Sequence, residues 1–180
     1  MVSVEITAES PYWLARLPLP LINFYADKYK IDPIFLACLV MLESGGNSNV
    51  IRYEPQFRYT FSVNELAGVL LNCSQPTMEV MQKTSWGLMQ VMGAVAYELG
   101  LGAEKELKDK WPTALLAPSV GMDYGCRHLK NKMNKYGDAP HTLYASYNGG
   151  SPQFTSGGMF INQRAVDRFM TLYRDLKGIT

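Results

Sequence analysis

The sequence predicts a mostly α-helical fold in a single domain, and three observations carry that reading. The chain has 180 residues, 47% of them hydrophobic and 18% charged, which is enough for one substantial core and too little for two ordinary domains. An almost wholly apolar run lies between a helix start at Asp32-Pro33 and a stop at Gly45-Gly46. Further on, Ser119 to Tyr136 sets Val120, Tyr124, Leu129 and Met133 against a face bearing Arg127, Lys130, Lys132 and Lys135, and Gly137 closes it. That is the pattern of an amphipathic helix.

Taken in order, residues 1–20 read as an N-terminal lead-in, with the proline-rich and aromatic part from Pro11 to Pro20 strapped across the surface. A short helix follows from Pro20 to Lys30. The next helix, Pro33 to Ser44, takes Asp32 as its N-cap, and Ile34, Phe35, Leu36, Ala37, Leu39, Val40, Met41 and Leu42 leave it almost no polar face. It is therefore expected at the centre, surrounded by the rest. In the segment 46–84, the aromatic run Tyr53, Phe57, Tyr59 and Phe61 precedes Ser62, which stands three residues before Glu65. This capping-box pattern predicts a small helical excursion after Ser62. At most one small β-hairpin is expected, near Tyr53 to Phe61 or near Trp86. Gly87 to Val91 is too short for a helix, whereas Ala94 to Leu99 makes one with Gly100 beyond its end. Ala139 to Tyr147 and Asn162 to Leu176 complete the helices, separated by a loop from Asn148 to Gly158.

Composition excludes several functions. A formal net charge of +1 argues against a partner held by phosphate neutralisation, so no nucleic acid is expected. Cys38, Cys73 and Cys126 are odd in number and far apart, which fits neither a disulfide framework nor zinc-ligand spacing. They read as reduced thiols, Cys38 being a small hydrophobe among Leu36, Ala37, Leu39 and Val40. His128 and His141 lie in different segments, neither paired with cysteines at metal spacing, and no glycine loop leads into a phosphate-binding lysine. No metal and no cofactor are expected. No apolar run reaches the length of a membrane span, and Met1 to Ser10 is polar with no basic residue before an apolar core, so no secretion signal is visible.

Glu43 is the only charge of the apolar helix and sits at its C-terminal end. Poor solvation and the negative end of the helix dipole both disfavour the carboxylate, which is the condition a general acid needs. The alternative is a glutamate that turns outward and merely ends the helix. Ser44 either caps that end or bonds beside Glu43 or the substrate. Taken alone, Tyr147 reads as a core aromatic with its hydroxyl satisfied by backbone. Among the aromatics, Trp86 is the one taken as a stacking platform for a substrate.

Three stretches then settle the context: Glu43-Ser44, Gly87-Leu88-Met89-Gln90 running on into Val91-Met92, and Ala145-Ser146-Tyr147-Asn148-Gly149-Gly150. In that order they resemble the active-site motifs of the lytic transglycosylases, and the resemblance runs roughly from Leu21 to Gly150. It implies a lysozyme-like fold with a substrate cleft, acting on peptidoglycan glycan strands. By the same resemblance Glu43 is the sole acid and base, Tyr147 hydrogen-bonds it, and Asn148 reaches the substrate. Gly87 lets the backbone approach the sugar, Met89 lines the cleft, and Gln90 offers its amide to a substrate acetamide. The implied reaction cuts the bond between N-acetylmuramic acid and N-acetylglucosamine without water and leaves a 1,6-anhydro end.

Two departures accompany the resemblance. The segment 46–84 is longer than in a minimal member and reads as an insertion, and Gly93 stands where many members have proline. Goose-type lysozymes share the motifs and hydrolyse the same bond with aspartates placed between the first two. That interval holds no aspartate here, only Glu54, Glu65 and Glu79. A noncatalytic wall-binding or structural subunit is the third reading. A monomer acting at the bacterial cell wall or periplasm is expected, delivered by a phage or released by lysis in the absence of a visible signal.

Overall fold

The computed structural model describes residues 3–7, 10–66, 73–103 and 110–178. Helices α1 (Leu19–Tyr29), α2 (Pro33–Ser44), α3 (Val63–Leu66), α4 (Gln75–Gln82), α5 (Gly93–Glu98), α6 (Pro118–Tyr136), α7 (Pro140–Gly149) and α8 (Gln163–Lys177) make the chain mostly helical. Strands β1 (Ile51–Tyr53), β2 (Thr84–Trp86) and β3 (Val91–Met92) add one small sheet. The chain forms two compact units, Met1–Gly46 with Cys126–Thr180, and Asn47–Gly125. Among the described residues no helix is long and apolar enough to cross a membrane.

In the first unit the lead-in is more than a strap. Tyr12–Arg16 wind into a 3-10 helix that buries Trp13 and Leu14. α2 starts and stops where the sequence signals lie: the Asp32 carboxylate accepts from the Ile34 N–H at 3.0 Å, and Gly45 closes the helix at φ 62°. Its lack of a polar face has the expected consequence, since Leu36, Ala37, Cys38, Leu39 and Val40 are all 0% exposed. Aromatic packing covers it, with Phe35 and Phe169 of α8 at 4.7 Å between ring centroids and Phe169 stacked on Tyr144 of α7 at 4.3 Å. The α2 N-cap is also tied to α8, because Tyr173 donates to Asp32 at 2.7 Å and Lys177 pairs with the same carboxylate at 3.1 Å. Burial above all, with the charges of Asp32 and Asp175 adding to it, pushes the Cys38 thiol up to about 12. It stays protonated and packs as an apolar group.

In the second unit the strands run antiparallel in the order β1-β2-β3, with Ile51 opposite Trp86, Tyr53 opposite Thr84, and Trp86 opposite Val91. The hairpin therefore turns at Gly87 to Gln90, beside Trp86. The other candidate stretch, Tyr53 to Phe61, makes none. Its end is held by a side chain instead: the Phe61 N–H donates to Gln82 Oε1 at 2.6 Å, and Gln82 Nε2 donates to the Phe61 carbonyl at 2.8 Å. Gln82 is 1% exposed, so one buried amide satisfies the two backbone groups that a partner strand would otherwise serve.

The capping box after Ser62 forms reciprocally, Ser62 N–H to Glu65 Oε2 at 2.6 Å and Glu65 N–H to Ser62 Oγ at 3.2 Å, and opens α3. α4 was not foreseen, although its start carries an ordinary signal: the Ser74 hydroxyl accepts from the Thr77 N–H at 3.3 Å and proline follows within the first turn. The 3-10 helix Pro112–Leu116 was missed in the same way. At Gly93, the first residue of α5, a Cβ would collide with the Met81 carbonyl. The close approach of α4 therefore requires glycine there.

Candidate active site

Glu43 is the penultimate residue of α2 and is half-buried. The Ser44 hydroxyl donates to the Val40 carbonyl at 3.2 Å and accepts from the Gly46 N–H at 3.3 Å, so it closes the helix end. Close approach of the lead-in explains the glycine pair. A Cβ on Gly46 would strike the Arg16 carbonyl, and one on Gly45 would lie 3.6 Å from the Arg16 guanidinium. Arg16 thus stands at the C-terminal end of α2, where a cation complements the helix dipole. Sequence reading passed over it, because only the 3-10 turn of the lead-in brings it there.

α7 carries the third motif in the same unit. Leu143, Tyr144, Ala145 and Ser146 are buried, and Tyr147 is half-buried near the end of the helix. Its hydroxyl is raised well above its ordinary value of 10, first by burial and next by the negative charge of Glu43, with Cys126 and Tyr144 adding to it. Tyr147 is therefore a neutral phenol within the field of Glu43, able to donate a proton in a hydrogen bond. Asn148 is exposed, and its Oδ1 accepts from Asn162 Nδ2 at 2.9 Å, while the same nitrogen donates to the Ala145 carbonyl at 3.1 Å. Asn162 thereby fixes the Asn148 side chain from the start of α8. Among the described residues nothing accepts from Asn148 Nδ2. Asn162 is a second residue that no local sequence signal marks.

The second motif forms a turn in the other unit. Gly87 has φ 74°, and a Cβ there would collide with the Leu115 carbonyl, so both its conformation and its packing demand glycine. Met89 is 0% exposed, and a Cβ on Gly125 would run into its side chain. Met89 is therefore core, against the expectation that it lines a cleft. Gln90 holds φ 49°, unusual for a residue with a side chain, and is 7% exposed. Its Nε2 donates to the carbonyls of Val50 and Gly87, both at 2.9 Å, and its Oε1 accepts from the Ser85 hydroxyl at 2.9 Å. Both amide donors expected for a substrate acetamide are occupied in fastening the turn. Trp86 is 6% exposed and donates through Nε1 to the Met81 carbonyl at 3.3 Å. The ring expected as a platform is thus held with little of its surface exposed.

Among the described residues no group of three His, Cys, Asp or Glu side chains stands where it could hold a metal ion. Cys38 and Cys126 are buried free thiols, and Cys73 is a partly exposed one.

The transglycosylase SLT domain matches residues 20–156, which takes in α2, the Gly87 to Gln90 turn and the motif on α7. The chain belongs to the SLT transglycosylase family. No curated protein matches the chain. As an SLT transglycosylase it is a member of a glycan-cleaving family whose substrate is peptidoglycan and whose place of action is the bacterial cell wall.

Proposed function

We propose that this SLT transglycosylase cuts the β-1,4 bond between N-acetylmuramic acid and N-acetylglucosamine without water, with Glu43 as the single acid and base. The observation that carries the reading is the half-buried Glu43 at the end of α2, with Tyr147 near the end of α7 close enough to feel its charge. In the first half-reaction Glu43 protonates the bridging oxygen as the bond to the muramic C1 breaks, and the sugar's own acetamide oxygen stabilises the charge at that carbon. Glu43, now a carboxylate, then takes the proton of the muramic C6 hydroxyl, whose oxygen closes onto C1. The products are an anhydro ring and a free N-acetylglucosamine 4-hydroxyl, and Glu43 is protonated again. One carboxylate suffices because the attacking hydroxyl is held within the substrate, in contrast to the paired carboxylates of most glycosidases.

In this scheme Tyr147 donates to the ionised Glu43 between the two half-reactions, and Asn148 offers its amide nitrogen to the sugar. Gly87, Met89 and Gln90 keep the turn between β2 and β3 rigid.

The state of the remaining carboxylates favours this route over hydrolysis. Glu54 receives both Nε and Nη2 of Arg52, at 3.1 and 2.9 Å, Glu79 pairs with Lys83 at 2.6 Å, and Glu65 is used in the capping box. Each glutamate between the first two motifs already has a local partner, so a water-activating base would first have to give one up.

The test is the clearing of purified peptidoglycan by wild type and by Glu43→Gln, with co-sedimentation on intact walls alongside. The variant is expected to lose about 1000-fold or more in rate while still pelleting with the walls. Equal clearing by both proteins would remove Glu43 from the reaction, and no clearing by wild type would leave a wall-binding module.

A further inference from the structure

We infer that His128 is a positioning residue for Tyr147, setting the phenol ring so that its hydroxyl addresses Glu43; the inference rests on the reading of Glu43 and Tyr147 given above. His128 lies on α6, and its ring meets that of Tyr147 edge-on, with 5.3 Å between centroids and 64° between planes. This is the favourable geometry for two aromatic rings, and it fixes the tilt of each.

The contact is one half of a clamp. One turn along the same face of α6, the Lys132 ammonium donates to the carbonyl of Gly150, the residue that caps α7. A cation at the C-terminal end of α7 is supported by the helix dipole. His128 and Lys132 thus hold the end of α7 at two points, Tyr147 by ring packing and Gly150 by charge. Without the ring, the last turn of α7 keeps its tether at Gly150 while Tyr147 loses the packing that sets its tilt.

His128 performs this role as a neutral ring. Burial first, and then the charge of Lys132, lower its imidazole from 6.5 to about 4. From α7 it faces Tyr147, a neutral phenol itself within the field of Glu43. No proton enters or leaves His128 near neutral pH, so the geometry it imposes does not change with pH in that range.

The experiment is a double-mutant cycle on kcat for peptidoglycan cleavage, using His128→Leu and Tyr147→Phe, with His128→Phe as the conservative variant. If His128 acts through the Tyr147 hydroxyl, His128→Leu lowers kcat about tenfold with KM little changed. The same substitution in the Tyr147→Phe background costs less than about threefold, since the hydroxyl to be aimed is already gone. His128→Phe recovers most of the rate that His128→Leu loses. Equal losses in both backgrounds, or no loss in the first, would overturn the inference. An independent readout guards against inactive or poorly folded protein. The ring NMR resonances of Tyr147 are expected to shift and broaden in His128→Leu and to return toward wild type in His128→Phe. Unchanged Tyr147 resonances in a folded His128→Leu protein would overturn the ring contact, whatever the activity. A wild type that cleaves no peptidoglycan counts against the functional reading instead and leaves the NMR comparison standing.

Discussion

Burial first, and the charge of Glu43 next, raise the Tyr147 hydroxyl well above its ordinary value of 10, so it stays a proton donor within that carboxylate's field. A phenol in that state donates a hydrogen bond to a carboxylate and becomes most useful when the carboxylate is ionised. In the proposed reaction that moment falls between bond cleavage and ring closure. Tyr147→Phe keeps the ring and removes the donor. It is expected to lower kcat by about 10- to 100-fold with little change in thermal stability, measured by muropeptide release and by melting. A variant as fast as wild type would show that the hydroxyl takes no part.

Gln90 should matter for stability more than for substrate affinity. Its amide makes three hydrogen bonds across the turn, from a left-handed backbone position with 7% exposure. Gln90→Ala removes all three, leaving the Ser85 hydroxyl only the Arg52 carbonyl and the Val50 and Gly87 carbonyls only the N–H groups of Gly87 and Gln90, and is expected to cost on the order of 2–4 kcal/mol. Urea denaturation measures this. A change in KM without loss of stability would return Gln90 to the role of a substrate contact.

Gly87→Ala meets two obstacles at once, a positive φ and the Leu115 carbonyl. The expected loss is about 2–4 kcal/mol, and a denaturation midpoint within error of wild type would contradict the turn described.

His128 gives stability a dependence on pH whose sign is fixed by its lowered value. The unfolded chain takes up the proton near 6.5 and the native protein only near 4, so stability is full above 6.5 and declines as pH falls toward 4, by up to ~3 kcal/mol. His128→Phe lacks this term. Its denaturation midpoint should fall less than that of wild type between those two pH values, and parallel curves would contradict the assignment.

Thiol chemistry offers a check on the fold. Cys38 and Cys126 are buried, whereas Cys73 is partly exposed. An aromatic disulfide reagent is expected to react with one thiol in the native protein and with three after unfolding. Fast reaction at a second site would contradict the packing of α2 or α6.

How much of this was legible in the sequence depended on whether a signal was local. α2 was readable from end to end, because Asp32-Pro33 and Gly45-Gly46 mark its limits and its missing polar face announces burial. The capping box of Ser62 and Glu65 was local too, and formed as read. α4 carried a serine cap and an early proline, yet lay hidden in a stretch judged by its aromatics. The Phe61 clamp needs Gln82, more than a turn of chain away in sequence, and no periodicity reveals such a partner. The motif residues divided in the same manner. Their positions were readable, but sequence could not tell that Trp86 and Met89 face the core or that the Gln90 amide is already engaged. Arg16 and Asn162 went unseen because each reaches its place through tertiary approach alone.

The central claim is that the C6 hydroxyl of the substrate, and not water, attacks the anomeric carbon. It is tested most directly by mass spectrometry of the ends released from purified peptidoglycan in heavy-oxygen water, with Glu43→Gln as control. The account predicts ends lighter by one water than reducing ends, carrying no heavy oxygen, and absent from the control. Reducing ends bearing one heavy oxygen would contradict it and make the protein a hydrolase.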